Sequence, residues 1–469
     1  MRPALPNPGQ EKHITFQHIE VRENNQPSGR SEIHLFGVTK ASHSILVRVL
    51  GFEHYFYYPA PQGISEDDLG CLKEYINECL VEIAISEIEL ESQSVSRARE
   101  PLLFLKIYLF DHRQMRRYKH FLTSGACEYR NIFSSPELSY ETTVPYFLRF
   151  MLDNGITPMS WIQIPAKRYT RIASERAVSF CQLEVTVPFE SLLKCKPVEN
   201  SEKSAPFRIL SFDLECNVRP DGQFSNAQDQ EVVQIGNMVS TYGSEEEPFS
   251  RTIFTLGSCS AISGSQVFSF EDESKMLMAW KKFFIEVDPD IVTGYNITQF
   301  DIPYLLNRAR ALMLRDFPFL GRIKASPQRL VLRQPNFLEC PGYDGRLLLD
   351  VYHHIRENHP GLEGQGAYKL SAVSEHFLKD RKEDIHYTEI PRLQSESADT
   401  RRQLAVYCLK DVYLPLRLMK KLKCFEREVN EAKDAHVPYN ALRVSRSLKV
   451  IARRYRDAMD RECILVDAQ

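Results

Sequence analysis

Asp213 and Glu215 stand two residues apart in the run Ile209–Cys216, ILSFDLEC. Side chains alternate faces along a strand, so the two carboxylates point one way while Leu210, Phe212 and Leu214 point the other way, into a core. Two carboxylates side by side in an apolar strand repel each other, and burial adds a desolvation cost to each charge. A hard divalent cation such as Mg2+ or Mn2+ relieves both. The alternative is an exposed edge strand with two solvated acids.

A second set of acids lies in Asp288–Ala309, DPDIVTGYNITQFDIPYLLNRA. IVTGY reads as a short strand ending at Gly294, with Asn296 and Asp301 in the turn and helix start beyond it. Asp301 suits a helix N-cap, worth about 1 kcal/mol, and a cap does not exclude a chemical role. In Arg401–Leu422, RRQLAVYCLKDVYLPLRLMKKL, Tyr407 and Asp411 are four apart and share one helix face. Leu404, Leu409 and Leu414 can pack the opposite side. A surface ion pair with the adjacent Lys410 would also explain Asp411.

Phosphodiester hydrolysis explains why four such acids should converge. It needs an activated water and a stabilised leaving 3′-oxygen, and two divalent ions about 3.5–4 Å apart provide both. Asp213, Glu215, Asp301 and Asp411 are then the expected ligands of two Mg2+ (or Mn2+) ions, and Tyr407 is placed to orient the water. Each segment is weak alone; the ordered set D-x-E, G-Y-N-x-x-x-F-D and Y-C-x-K-D over about 200 residues is specific. A single-stranded substrate would stack its bases on aromatic rings at about 1–3 kcal/mol per base. Phe300 and Tyr304 are the candidate rings, with Arg308 and Arg310 on the helix that follows. The basic stretches Arg113–Lys119 and Arg443–Arg456 either track phosphates or are solvated helix faces. The aromatic run Tyr55–Tyr58 reads as core.

These residues need a scaffold, and the chain is long enough for two to four domains. It has 469 residues, 43% hydrophobic and 26% charged, with a formal net charge of −3. A nucleic-acid surface must therefore come from local basic patches rather than an overall field. No apolar run reaches membrane-helix length, the first ten residues lack a signal-peptide core, and no membrane partner is expected. The eleven cysteines form no C-x-x-C pair, so no zinc or iron–sulfur site is expected and reduced thiols are the plain reading. Residues 1–30 read as a flexible arm. Residues 31–205 read as a mixed α/β unit, with strands in IHLFGV, SILVRVL and PLLFLKIYLF, a helix over Ser65–Ala84, and further strands around Arg168–Val187. The polar stretch Lys196–Pro206 marks a boundary. Residues 206–422 alternate strands and helices as an α/β domain with a central sheet, and 423–469 form a charged helical segment.

The three motifs resemble the proofreading-exonuclease motifs of family B DNA polymerases, and within that family those of the delta type. The resemblance is carried by LSFDLEC (Leu210–Cys216), DPDIVTGYNITQFDIPYL (Asp288–Leu305) and RRQLAVYCLKDVYLPLRL (Arg401–Leu418). FPFLGR (Phe317–Arg322), YKLSAVSEHFLKDRKEDIHY (Tyr368–Tyr387) and amino-terminal stretches extend it from about Glu32 onward. It implies an RNase H-like 3′–5′ exonuclease domain preceded by an amino-terminal domain with an OB-like part. It further implies that Asp213, Glu215, Asp301 and Asp411 hold metal, that Tyr407 positions the attacking water, and that Asn296 and Phe300 lie near the substrate strand. Asp350, in GRLLLDVYHH, matches a family acid that a strand-end or helix-cap role explains as well. The implied partners are a DNA primer 3′ end, accessory subunits and a sliding clamp, and the implied location is the nucleus. Motifs of the type S-L-Y-P-S and Y-G-D-T-D-S, which would carry the palm acids, do not occur in this sequence. The expectation is a truncated polymerase subunit that removes 3′-terminal nucleotides without extending DNA. The alternatives are a DNA-binding fragment with an idle exonuclease fold and a stand-alone DnaQ-type exonuclease, against which the amino-terminal region argues.

Overall fold

A computed structural model describes residues 2–5, 13–80, 84–95, 100–133, 138–192, 203–219, 225–328, 330–333, 337–339, 343–364, 366–380 and 385–467. In the amino-terminal part, β1 (Ile14–Asn25), β2 (Ser31–Thr39) and β3 (Ser44–Leu50) pair antiparallel in sequence order. A second sheet holds β4 (His54–Pro59), β5 (Ile85–Val95) and β6 (Leu102–Leu109), with α1 (Leu69–Cys79) between β4 and β5 and α2 (Met115–Thr123) after β6. After α3 (Tyr146–Asp153), the strands β7 (Trp161–Ile164), β8 (Thr170–Arg171) and β9 (Leu183–Pro188) complete the first sheet in the order β7-β1-β2-β3-β9-β8, and α4 (Phe189–Leu192) follows.

The next sheet is built on β10 (Arg208–Cys216). Strands β11 (Val232–Thr241), β12 (Ser250–Leu256) and β13 (Gln266–Phe270) lie on one side of it. Helix α5 (Glu273–Val287) then leads to β14 (Ile291–Gly294) on the other side. Helix α6 (Asp301–Ala311) and the pair β15 (Val331–Arg333) and β16 (Phe337–Glu339) precede β17 (Leu347–Asp350), which closes the order β13-β12-β11-β10-β14-β17. Strands β14 and β17 run parallel to β10, and β11 runs antiparallel to it. This is the mixed sheet of an RNase H-like domain. Helices α7 (Val351–Asn358), α8 (Leu370–Leu378), α9 (Ile390–Glu396) and α10 (Ala398–Leu422) follow, then α11 (Cys424–Ala435), α12 (Tyr439–Val444), α13 (Ser447–Met459) and β18 (Cys463–Ile464), which adds to β5.

The alternation of β10 decides which helices cover which face. Leu210, Phe212 and Leu214 pack with Trp280 and Phe284 of α5 and Ile302 and Leu305 of α6. On the other face Ser211 Oγ donates to the Val412 carbonyl of α10 at 2.8 Å, and Ile209 joins Val412 and Leu416 in the neighbouring core. That core also takes in Phe36, Val38 and Leu46 from the amino-terminal sheet. The two parts therefore share buried apolar surface, at about 25 cal/mol per Å2, although the polar stretch before Phe207 reads as a boundary.

Two expectations are corrected. Residues 1–30 are not simply a flexible arm, because β1 is a twelve-residue strand paired with β2 and β7. Arg2 is buried, with its guanidinium on Asp288 (2.7 Å) and Asp290 (2.6 Å). Polar residues hid β1 because six consecutive positions, Phe16 to Val21, are buried, and the polar ones among them find buried partners; Gln17, for example, donates to the Met159 carbonyl. The helix expected to run to Ala84 ends at Cys79, and β5 starts at Ile85. Much of the boundary stretch Lys196–Pro206 lies outside the described residues.

Candidate active site

Strand β14 pairs with β10 only from Ile209 to Ser211. Beyond that point the chain turns away, and among the described residues the β10 edge from Phe212 onward has no strand partner on that side. Gly294 makes the turn possible, because a Cβ there would lie 2.8 Å from the Phe212 carbonyl and 2.4 Å from Ile297 Cγ2. Asn296 then takes a left-handed conformation (φ 64°), which Asn tolerates better than most residues. The turn is tied down by Asp350, the N-cap of α7. Its carboxylate accepts from Asn296 N (2.8 Å), Thr298 N (3.0 Å), Thr298 Oγ1 (2.9 Å) and Tyr352 N (3.0 Å). The cap role therefore accounts for Asp350.

The turn delivers Asp301 to the open edge of β10. Asp301 is the first residue of α6, with Phe300 as its N-cap, and its Oδ1 accepts the Leu214 N–H at 3.1 Å. Leu214 lies between Asp213 and Glu215, so the acids of the first two motifs meet across one peptide unit. Burial pushes the Asp301 carboxyl up to about 8. The bond from Leu214 opposes that rise, and the charges of Asp350 and Asp411 add to it.

Helix α10 brings the third set. It lies close against β11 at Gly236, where a Cβ would meet Cys408 Sγ at 2.8 Å and Val412 Cγ2 at 2.9 Å. Asp411 is buried, and the neighbouring Lys410 pairs with Asp380 at 2.9 Å. Tyr407, half-buried, packs beside Val233, Ile390 and Leu393. Two thiols flank the cluster and register it. Burial first, then Asp301, Glu215 and Asp213, raise Cys216; burial first, then Glu215, Asp213 and Asp411, raise Cys408. The structure thus gathers Asp213, Glu215, Asp301 and Asp411 around one stretch of β10. Oxygen-rich and anionic, this donor set fits hard divalent cations.

The substrate-side candidates divide. Phe300 is half-buried, its ring 5.6 Å from that of Tyr304. Tyr304 is corrected as a stacking platform. It is 5% exposed, packs in the core and donates its hydroxyl to the Gln230 carbonyl at 2.9 Å, so it offers no open face to a base. Arg308 is corrected as a phosphate contact, because its guanidinium is buried against Glu273 (2.7 Å). Arg310 is exposed. Of the basic stretches, Arg113 pairs with Asp111 and Lys119 with Asp467, while Arg116 and Arg117 are exposed. Arg443 and Arg446 share Glu357. Phe56, Tyr57 and Tyr58 are core.

Two features inside the motifs were not read from the sequence. The first is that Asp288 and Asp290, in the same run as Asp301, are paired with buried arginines. Arg2, Arg322 and Arg346 hold Asp288 well below the usual carboxylate range against burial, which pushes it up. Asp290 accepts from Arg322 at 2.5 Å and from the Arg208 N–H at 2.7 Å. The second is Cys408, whose Sγ lies within 4.8 Å of carboxylate oxygens of both Asp213 and Glu215. Its spacing of three from Asp411 was the available signal.

A family model for the exonuclease domain of family B DNA polymerases matches residues 138–373. The chain belongs to the family B DNA polymerases. The match spans Asp213, Glu215 and Asp301; Tyr407 and Asp411 lie beyond it. The chain is 37% identical to the DNA polymerase delta catalytic subunit of Schizosaccharomyces pombe, over 99% of this chain and 43% of that protein. It is 37% identical to the delta catalytic subunit of Candida albicans (99% and 44%) and 36% identical to that of Oryza sativa subsp. japonica (99% and 44%). It therefore spans less than half the length of these relatives. The family B DNA polymerase of the archaeon Pyrobaculum calidifontis shares its fold, with a TM-score of 0.68 at 20% identity over 96% of this chain and 51% of that one. Among the described residues, no helix is long and apolar enough to cross a membrane.

Proposed function

We propose that this family B chain is a 3′–5′ DNA exonuclease of the proofreading kind, acting on single-stranded or mispaired primer ends, with Asp213, Glu215, Asp301 and Asp411 as ligands of two Mg2+ or Mn2+ ions. The observation that supports this most is the Asp301 carboxylate accepting the N–H between Asp213 and Glu215, with Asp411 close enough to raise it. Buried acids crowded in this way favour a bound cation over their own ionisation in isolation.

The bound cations would supply an activated water and neutralise the leaving 3′-oxygen. The protein's own contribution is positioning. Asp213 and Glu215 are held on one face of a strand whose other face is locked in the core. Asp301 is fixed by the Leu214 N–H and by the turn that Asp350 ties. Tyr407, one helical turn before Asp411, orients the attacking water through its hydroxyl. Phe300 sits at the mouth of the Asn296–Asp301 turn, where the terminal base would lie. Residence in the nucleus, and association with the accessory subunits and clamp of a delta-type polymerase, belong to the same reading.

The test is the purified chain on a 3′-mispaired primer with Mg2+, beside the double variant Asp213→Ala, Glu215→Ala. Release of mononucleotides by the parent alone is the expected result. Equal release by both rejects the site, and release by neither favours a DNA-binding module with an idle fold.

A further inference from the structure

We infer that Cys408 makes the Asp213–Glu215 site a binding site for a soft divalent cation of the zinc and cadmium class, which competes there with Mg2+ or Mn2+. The inference rests on the reading of Asp213 and Glu215 as metal ligands and adds a third donor of different chemistry. One oxygen from each carboxylate and Cys408 Sγ all lie within 4.8 Å of one another. Ligand atoms about 2.0–2.3 Å from one tetrahedral ion sit roughly 3.3–3.8 Å apart, so small side-chain rotations close the set. The thiol is fully buried and closely packed. It donates to the Asp213 carbonyl at 3.7 Å, and behind it the helix lies so close to Gly236 that even a Cβ there would come within 2.8 Å of Sγ.

Magnesium takes oxygen donors and leaves a thiol unused, whereas zinc and cadmium take carboxylate and thiolate together. Binding a soft ion therefore uses all three donors, and the thiol proton is released to solvent. No C-x-x-C spacing announces such a site, because its donors come from a strand and a distant helix.

The test titrates the purified chain with Cd2+ and follows the ultraviolet thiolate-to-cadmium charge-transfer band. Mn2+ binding is measured in parallel by electron paramagnetic resonance. The expected result is a band that excess Mn2+ suppresses and that is lost in Cys408→Ser and in Cys408→Ala, while both variants still bind Mn2+. Cadmium affinity should fall at least about 10-fold, the loss that even an outer-shell partner of a metal ligand causes. A band that survives in both variants comes from another cysteine and overturns the inference. Mn2+ binding to the parent chain without any cadmium band overturns it too, and leaves the carboxylate site standing. If neither ion binds the parent chain, the carboxylate reading falls with it.

Discussion

Replacing Asp301 with Asn should stabilise the metal-free chain, increasingly so at higher pH. The Asp301 carboxyl moves from an ordinary 3.8 to about 8 on folding, with burial as the largest cause. That rise, at about 1.36 kcal/mol for each tenfold gain in proton affinity, sets an upper limit of roughly 5–6 kcal/mol on what its ionisation takes from the fold at pH 8. Rotation of the neighbouring carboxylates and entry of water should leave about 1–3 kcal/mol of this. The folded chain binds this proton more tightly than the unfolded chain does. The stability contributed by the protonated acid is therefore complete below the unfolded value of 3.8 and is lost as the pH rises through about 8. Asn keeps the oxygen that accepts the Leu214 N–H and cannot ionise. In EDTA, Asp301→Asn should melt above the parent at pH 8, by roughly 2–4 °C per kcal/mol for a domain of about 200 residues, and the gap should narrow toward pH 4. Magnesium should then raise the melting temperature of the parent more than that of the variant. An advantage of the same size at pH 5 and pH 8, or none at either, would refute the argument that a buried, crowded carboxylate limits the metal-free fold.

Three further outcomes follow from the geometry. Gly236→Ala forces α10 away from β11 at Cys408 and Val412, and should cost about 1–3 kcal/mol in denaturant melts together with most of the nuclease activity, since Asp411 rides on that helix. Asp290→Ala leaves Arg2 and Arg322 with a buried charge partner removed, and should cost about 3–5 kcal/mol, read as a drop in the urea midpoint. Asp350→Ala unties the Asn296–Thr298 turn. It should lower exonuclease turnover and destabilise the chain by about 2–3 kcal/mol, whereas a direct ligand role would instead abolish Mn2+ binding while leaving stability nearly unchanged.

The sequence by itself determined the pieces that depend on local periodicity. Alternation put Asp213 and Glu215 on one face of a strand and Leu210, Phe212 and Leu214 on the other, because a pleated backbone admits no other arrangement. Helical spacing put Tyr407 and Asp411 on one face, and the motifs named the family. Tertiary structure alone separated the acids that converge on β10 from those that arginines neutralise. Asp288 and Asp290 sit in the same run as Asp301, yet three arginines from distant segments consume them, and long-range charge pairing leaves no local trace. For the same reason Tyr304 and Arg308 are core rather than substrate contacts, β1 is a strand rather than an arm, and Cys408 stands beside Asp213. Each of these outcomes depends on which surface packs against the residue, and that is set by neighbours far away along the chain.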